Sequence, residues 1–183
     1  MKTNRFAAVA ALVAAGLLAG CGGGGSSHAD LRSPALSASA KTPLGLTATF
    51  AEDKASVALG GGVTYTLTLT NNTSQPITYE YISGCLVQAQ HMGGVVTVKD
   101  AAGNGLFPDG NGCTAGFGPT PATIAPDKSV SDTVIFTPSD GYEGDNPFTT
   151  AGLHYATASF QISAPGTNPL TSPQVGPLTV NVQ

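Results

Sequence analysis

The chain has 183 residues and a formal net charge of −4, and only 10% of its side chains are charged. Seven Lys and Arg against eleven Asp and Glu leave no basic patch for a nucleic-acid backbone, while 41% hydrophobic content excludes a wholly disordered polymer. With 24 glycines, 13 prolines and no tryptophan, the composition favours strands and turns over helices.

The first element is not part of a fold. Lys2 and Arg5 precede an apolar run from Phe6 to Leu18, too short for a mature membrane span but suited to an export signal. The run ends in Leu18-Ala19-Gly20-Cys21, followed by four glycines. This resembles the lipobox of bacterial lipoproteins, in which a diacylglycerol is attached to the cysteine sulfur and the chain is cut before it. A thioether needs a nucleophilic thiol, which only cysteine carries. The resemblance implies a signal peptide at 1–20, a lipidated (palmitate-type) Cys21 and a membrane partner reached through lipid, with no other cofactor. Two or more acyl chains give stable attachment where one does not. Gly22 stands where an aspartate would resemble an inner-membrane retention signal, so the implied address is the outer membrane of the bacterial cell envelope.

Residues 21–42 mix Gly, Ser, Ala and Pro without periodicity and are expected to form a flexible tether of roughly 25 Å average span. His28 lies in it as a solvated side chain. Loss of Lys2 and Arg5 with the signal leaves five basic residues against eleven acidic ones, a net −6, which serves solubility.

From residue 43 to 183 the pattern predicts one domain. VTYTLTLTN (63–71) alternates Val63, Tyr65, Leu67 and Leu69 with threonines, as a half-buried strand does. A turn follows at Asn71–Gln75, then PITYEYIS with Ile77, Tyr79 and Tyr81 in alternation. The two runs are expected to pair as a hairpin. Further strands are predicted in 44–50, 55–59, 95–104, 130–138, 153–163 and 177–183. Seven or eight short strands without a helical period predict an all-β fold, an antiparallel immunoglobulin-like β-sandwich, expected to be monomeric.

The strings GGGVTYTLTLTNNTSQPITYEYISG, VTVKDAAGNGLF, IAPDKSVSDTVIFTP and AGLHYATASF together resemble the BsuPI group of bacterial immunoglobulin-like domains. The matching positions are Asn71, Val98, Asp100, Gly103, Pro126, Gly152 and Phe160. One departure is His154, which stands where the family places tyrosine, with Tyr155 displaced by one; either a bulge turns Tyr155 inward or His154 fills the corner. The family is named for an intracellular proteinase inhibitor, so the resemblance implies inhibition as an alternative function, although no reactive loop is identifiable in this chain.

Cys85 and Cys113 form an even pair in an exported domain, which points to a disulfide. It would close a loop of 29 residues, worth about 3.6 kcal/mol in the chain-entropy view. Catalysis has no signature: there is no GxSxG elbow, no HExxH and no phosphate-binding glycine loop, so no enzyme is expected. Asp140, Glu143 and Asp145 crowd one segment, and His91-Met92 offers imidazole and thioether. Either is a weak start for a periplasmic metal site, because the first lacks an EF-hand spacing and the second lacks a companion cluster; solvated turns are the expectation.

The expected function is therefore a noncatalytic envelope lipoprotein presenting a binding module to a protein or glycan, accessible as an antigen if it faces outward. The long loops 101–123 and 138–151 place Phe107, Phe117, Tyr142 and Phe148 among glycines and prolines. Loop aromatics are common anchors; the alternative is packing over the end of the sandwich.

Overall fold

The alternation in VTYTLTLT becomes the centre of a sheet. In a computed structural model describing residues 36–84, 89–107, 116–136, 146–167 and 173–183, β1 (Ser37–Lys41), β2 (Thr47–Glu52), β4 (Val63–Thr70) and β9 (Ser129–Phe136) lie in that order in the first sheet. A second sheet orders β3 (Ser56–Val57), β12 (Gln174–Val182), β10 (Gly152–Phe160), β6 (Gly94–Asp100) and β7 (Gly105–Phe107). A third holds β11 (Ile162–Ser163), β5 (Ile77–Gly84) and β8 (Gly116–Ile124). Every pairing is antiparallel except the short β3–β12 contact, and the described residues contain no helix.

The second and third sheets are stitched together. Beyond the Phe160–Gly94 pair, Gln161 donates its N–H to Gly93 and accepts from Ile82, and Ile162 then pairs with Tyr81. One long ladder therefore continues across a chain excursion between Ile82 and Gly93. The first sheet packs on this composite layer through one core. Phe50, Tyr65, Leu67 and Leu69 enter from one side, and Val96, Ala158, Phe160 and Val180 from the other. A β-carbon on Gly94 would come within 2.7 Å of Leu67 Cδ2, which shows how closely the layers approach. The fold is an all-β sandwich.

Several expectations need correction. Twelve strands occur among the described residues where seven or eight were predicted. The segments 63–70 and 77–84 do not form a hairpin: β4 pairs with β2 and β9, while β5 pairs with β8 and β11. The turn between them is an arch from one layer to the other, held by Asn71. Its buried amide donates to Gln75 O and Ile124 O and accepts from the Thr73 N–H and hydroxyl, so all of these polar groups are satisfied. Residues 37–41, expected in the tether, form β1 against β2, so ordered structure begins before residue 43. Within the expected loop 101–123, β7 and most of β8 are strand; β8 runs as an edge strand despite Pro119 and Pro121, the place where a sheet tolerates proline.

Candidate functional site

The side chains that leave the first sheet away from the core form a surface rich in hydroxyls, with one charge. β4 contributes Thr64, Thr66, Thr68 and Thr70; β2 contributes Thr47 and Thr49; β1 contributes Ser37 and Ser39; β9 contributes Ser129, Ser131 and Thr133. Only Lys41, Ala51 and Ile135 complete the outward set. The registers run without a bulge across all four strands, so the hydroxyls fall into rows such as Ser39–Thr49–Thr68–Ser131. Neighbours in the rows bond to one another, Ser39 to Thr49 at 2.9 Å, Thr68 to Ser131 at 2.8 Å and Thr70 to Ser129 at 2.9 Å. In each pair one O–H is spent and one remains, together with free lone pairs. The face therefore offers both donors and acceptors, with no carboxylate and no aromatic ring.

A second cluster joins the excursion before β6 to the edge strand β9. His91 Nδ1 lies 2.9 Å from Asp132 Oδ1, and the same carboxylate accepts the His91 backbone N–H at 2.9 Å. Tyr79 donates its hydroxyl to His91 O at 3.0 Å. The His91 ring is 67% exposed and Asp132 19%. Burial, aided by Tyr81 and the Asp132 charge, pushes the Tyr79 hydroxyl up to about 12, so it stays a donor. The neighbouring Met92 is fully buried whereas the His91 ring is mostly exposed.

A third feature lies inside. Phe50, Tyr65, Phe136, Phe148 and His154 form a chain of ring contacts with centroids 5.0–6.0 Å apart. Beside Tyr65, Glu52 is 1% exposed, and neither carboxyl oxygen nor the Tyr65 hydroxyl has a hydrogen-bond partner. Burial, reinforced by Asp53, pushes the Glu52 carboxyl up to about 7. Burial likewise raises the Tyr65 hydroxyl above its usual range.

Of the residues predicted from sequence, His154 is inward and buried, its Nδ1 3.2 Å from Gly152 O, while Tyr155 faces out; histidine fills the corner. Phe148 packs against Phe136 and His154 with no exposed surface, so it is a core residue and not a loop anchor, the packing alternative having won at that position. Phe107 and Phe117 stand on β7 and β8, and their side chains lie outside the described residues. Cys21, His28, Cys85, Cys113, Asp140, Tyr142, Glu143 and Asp145 lie outside the described residues altogether. Among the described residues no group of three or more His, Cys, Asp or Glu could hold a metal ion, and no helix is long and apolar enough to cross a membrane. Sequence reasoning missed Glu52, which lies between the strands predicted at 44–50 and 55–59, and it saw the threonine alternation of β4 but not that the hydroxyls continue across four strands.

No family model matches the chain, and no curated protein matches it. Among solved structures, a β-glucosidase, EmGH1, from Erythrobacter marinus is similar at a TM-score of 0.34 with 11% identity, over 81% of this chain. The chain spans only 16% of that enzyme's length, and a likeness so slight bears on neither the class nor the activity of this protein.

Proposed function

We propose that this is a noncatalytic, lipid-anchored envelope protein whose sandwich presents a binding surface, and that the surface is the hydroxyl face of the first sheet, suited to a neutral glycan. The observation that carries the reading is that face: four strands in unbroken register with eleven hydroxyls and one charge, on a chain that is otherwise acidic. Single hydroxyl hydrogen bonds contribute only about 0.5–1.5 kcal/mol each, so a repeating polymer that engages several rows is the fitting ligand. The anchor rests on the lipobox at Cys21. The strand order, with β4 between β2 and β9 and β10 between β12 and β6, agrees with an immunoglobulin-like arrangement.

A disulfide between Cys85 and Cys113 belongs to the same reading. Gly84 and Gly116 are register partners, and the cysteines lie one and three residues from them in sequence, which supports the pairing.

The experiment is direct. Residues 32–183, the compact unit that contains the whole core, are applied to immobilised neutral polysaccharides beside a Thr68→Lys, Ser131→Glu variant. Retention of the wild type and loss with the variant support the assignment. Equal retention of both, or none by either, overturns the hydroxyl face as the binding surface.

A further inference from the structure

Glu52 is the anomaly that neither packing nor binding explains. A carboxylate with both oxygens unpartnered in an apolar interior costs several kcal/mol, so the closed sandwich favours the neutral acid. Its surroundings offer no relief. β4 presents Tyr65, whose hydroxyl is itself unpartnered. β9, beyond it, presents Val134 and Phe136, and the core on which this sheet packs adds Val57, Val180 and Val182, all apolar. The adjacent Asp53 is held by the Thr64 N–H, with Lys54 at 3.8 Å. His154 is separated from Tyr65 by the rings of Phe136 and Phe148.

The weak wall is β1. It is an edge strand of five residues that lies against β12 as well as β2, but its inward side chains, Ala38 and Ala40, are small and only partly buried. At its start, Leu36 accepts the Glu52 N–H at 3.0 Å while remaining 41% exposed. The other flank of β2 is β4, which is paired on both sides and carries the core. Water therefore reaches Glu52 at least cost when β1 lifts, since strands with few buried apolar contacts open first.

We propose that Glu52 is a proton-operated latch on β1: neutral, it lets β1 lie against β2; ionised, it releases Leu36–Lys41 into the segment that precedes it. Release would lengthen the connection ahead of the sandwich and uncover the edge of β2. The folded-state pKa is raised, so the closed state is fully retained below the unfolded value near 4.5. It weakens as pH rises toward about 7 and changes no further above that.

The test is amide hydrogen exchange by NMR on residues 32–183 between about pH 5 and pH 8, with β1 protection factors compared with those of β4. One proton linked to opening lowers β1 protection by up to about tenfold per pH unit between the two pKa values. β4, which exchanges on global unfolding, should remain the more protected strand at every pH and lose no more protection than the fall in global stability requires. Glu52→Gln and, should it fold poorly, Glu52→Leu should hold β1 protection constant with pH. As an independent readout, trypsin cleavage after Lys41, normalised to the Glu52→Gln protein, should accelerate with pH in the wild type alone. Constant wild-type protection, or an equal loss in wild type and variants, overturns the latch.

Discussion

The His91 imidazole and the Asp132 carboxylate, 41 residues apart in sequence, meet through a ring contact at 2.9 Å and a backbone N–H contact at 2.9 Å. The pair clasps the excursion between β5 and β6 to the edge of the opposite sheet. The carboxylate serves two donors, whereas the imidazole supplies only one of them, and that one is mostly in water.

That asymmetry sets an order of effects. Asp132→Ala should cost about 1–2 kcal/mol, because it leaves the His91 N–H without its acceptor. His91→Ala should cost less than about 1 kcal/mol, because an exposed ion pair contributes little and the backbone contact survives. Urea denaturation of both variants and the double variant checks this. Equal costs would mean that the ring contact, not the backbone contact, carries the clasp.

Stability should depend on pH through Glu52. Because its folded pKa is raised to about 7, the wild type should lose stability as pH rises from about 4.5 to 7, by about 1–2 kcal/mol once screening by water near the sheet edge is allowed for. Glu52→Leu should abolish that slope and be the more stable protein at pH 8, since an apolar group leaves nothing unsatisfied. Thermal unfolding of the two proteins at the two pH extremes measures the difference.

Two glycines should respond differently to alanine. At Gly94 a β-carbon would meet Ala89 Cβ at 2.6 Å and Leu67 Cδ2 at 2.7 Å, so Gly94→Ala should cost about 1–3 kcal/mol by overpacking between the layers. At Gly103 nothing lies within 4 Å but φ is +85°, so Gly103→Ala should cost about 1 kcal/mol from backbone strain alone. Adding Leu67→Ala should recover part of the loss at Gly94 and none at Gly103, which chemical denaturation can resolve.

For the cysteines, protein recovered from an oxidising compartment should show no free thiol at Cys85 or Cys113 until it is reduced. Replacing both with serine should lower stability by about 2–4 kcal/mol. Thiol labelling under denaturing conditions, with and without reductant, decides it. Two free thiols before reduction would remove the disulfide.

Much of the strand content was legible. The alternation at Val63–Thr70 and Leu153–Ile162 carries its own face assignment, because the side-chain period of a strand is two wherever it pairs. What was not legible was partnership. β4 and β5 follow one another with turn residues between them and read as a hairpin, yet the Asn71 network turns the chain into the other layer. β1, with the sequence SASAK, has no apolar signal of its own and becomes a strand only because β2 offers an edge. β8 was hidden by its glycines and prolines, which an edge position accommodates.

The amino-acid sequence by itself determined the all-β class and which residues of β4 and β10 face the core, since those follow from local alternation. It also placed the hydroxyls of β4 on one side. Only the tertiary structure decided that those hydroxyls continue in register across four strands, that Phe148 is interior, and that Glu52 lies beneath neighbours with nothing to offer its oxygens. The physical reason is the same in each case. Period specifies a face, but burial, pairing and charge compensation depend on which distant segment comes to lie beside it.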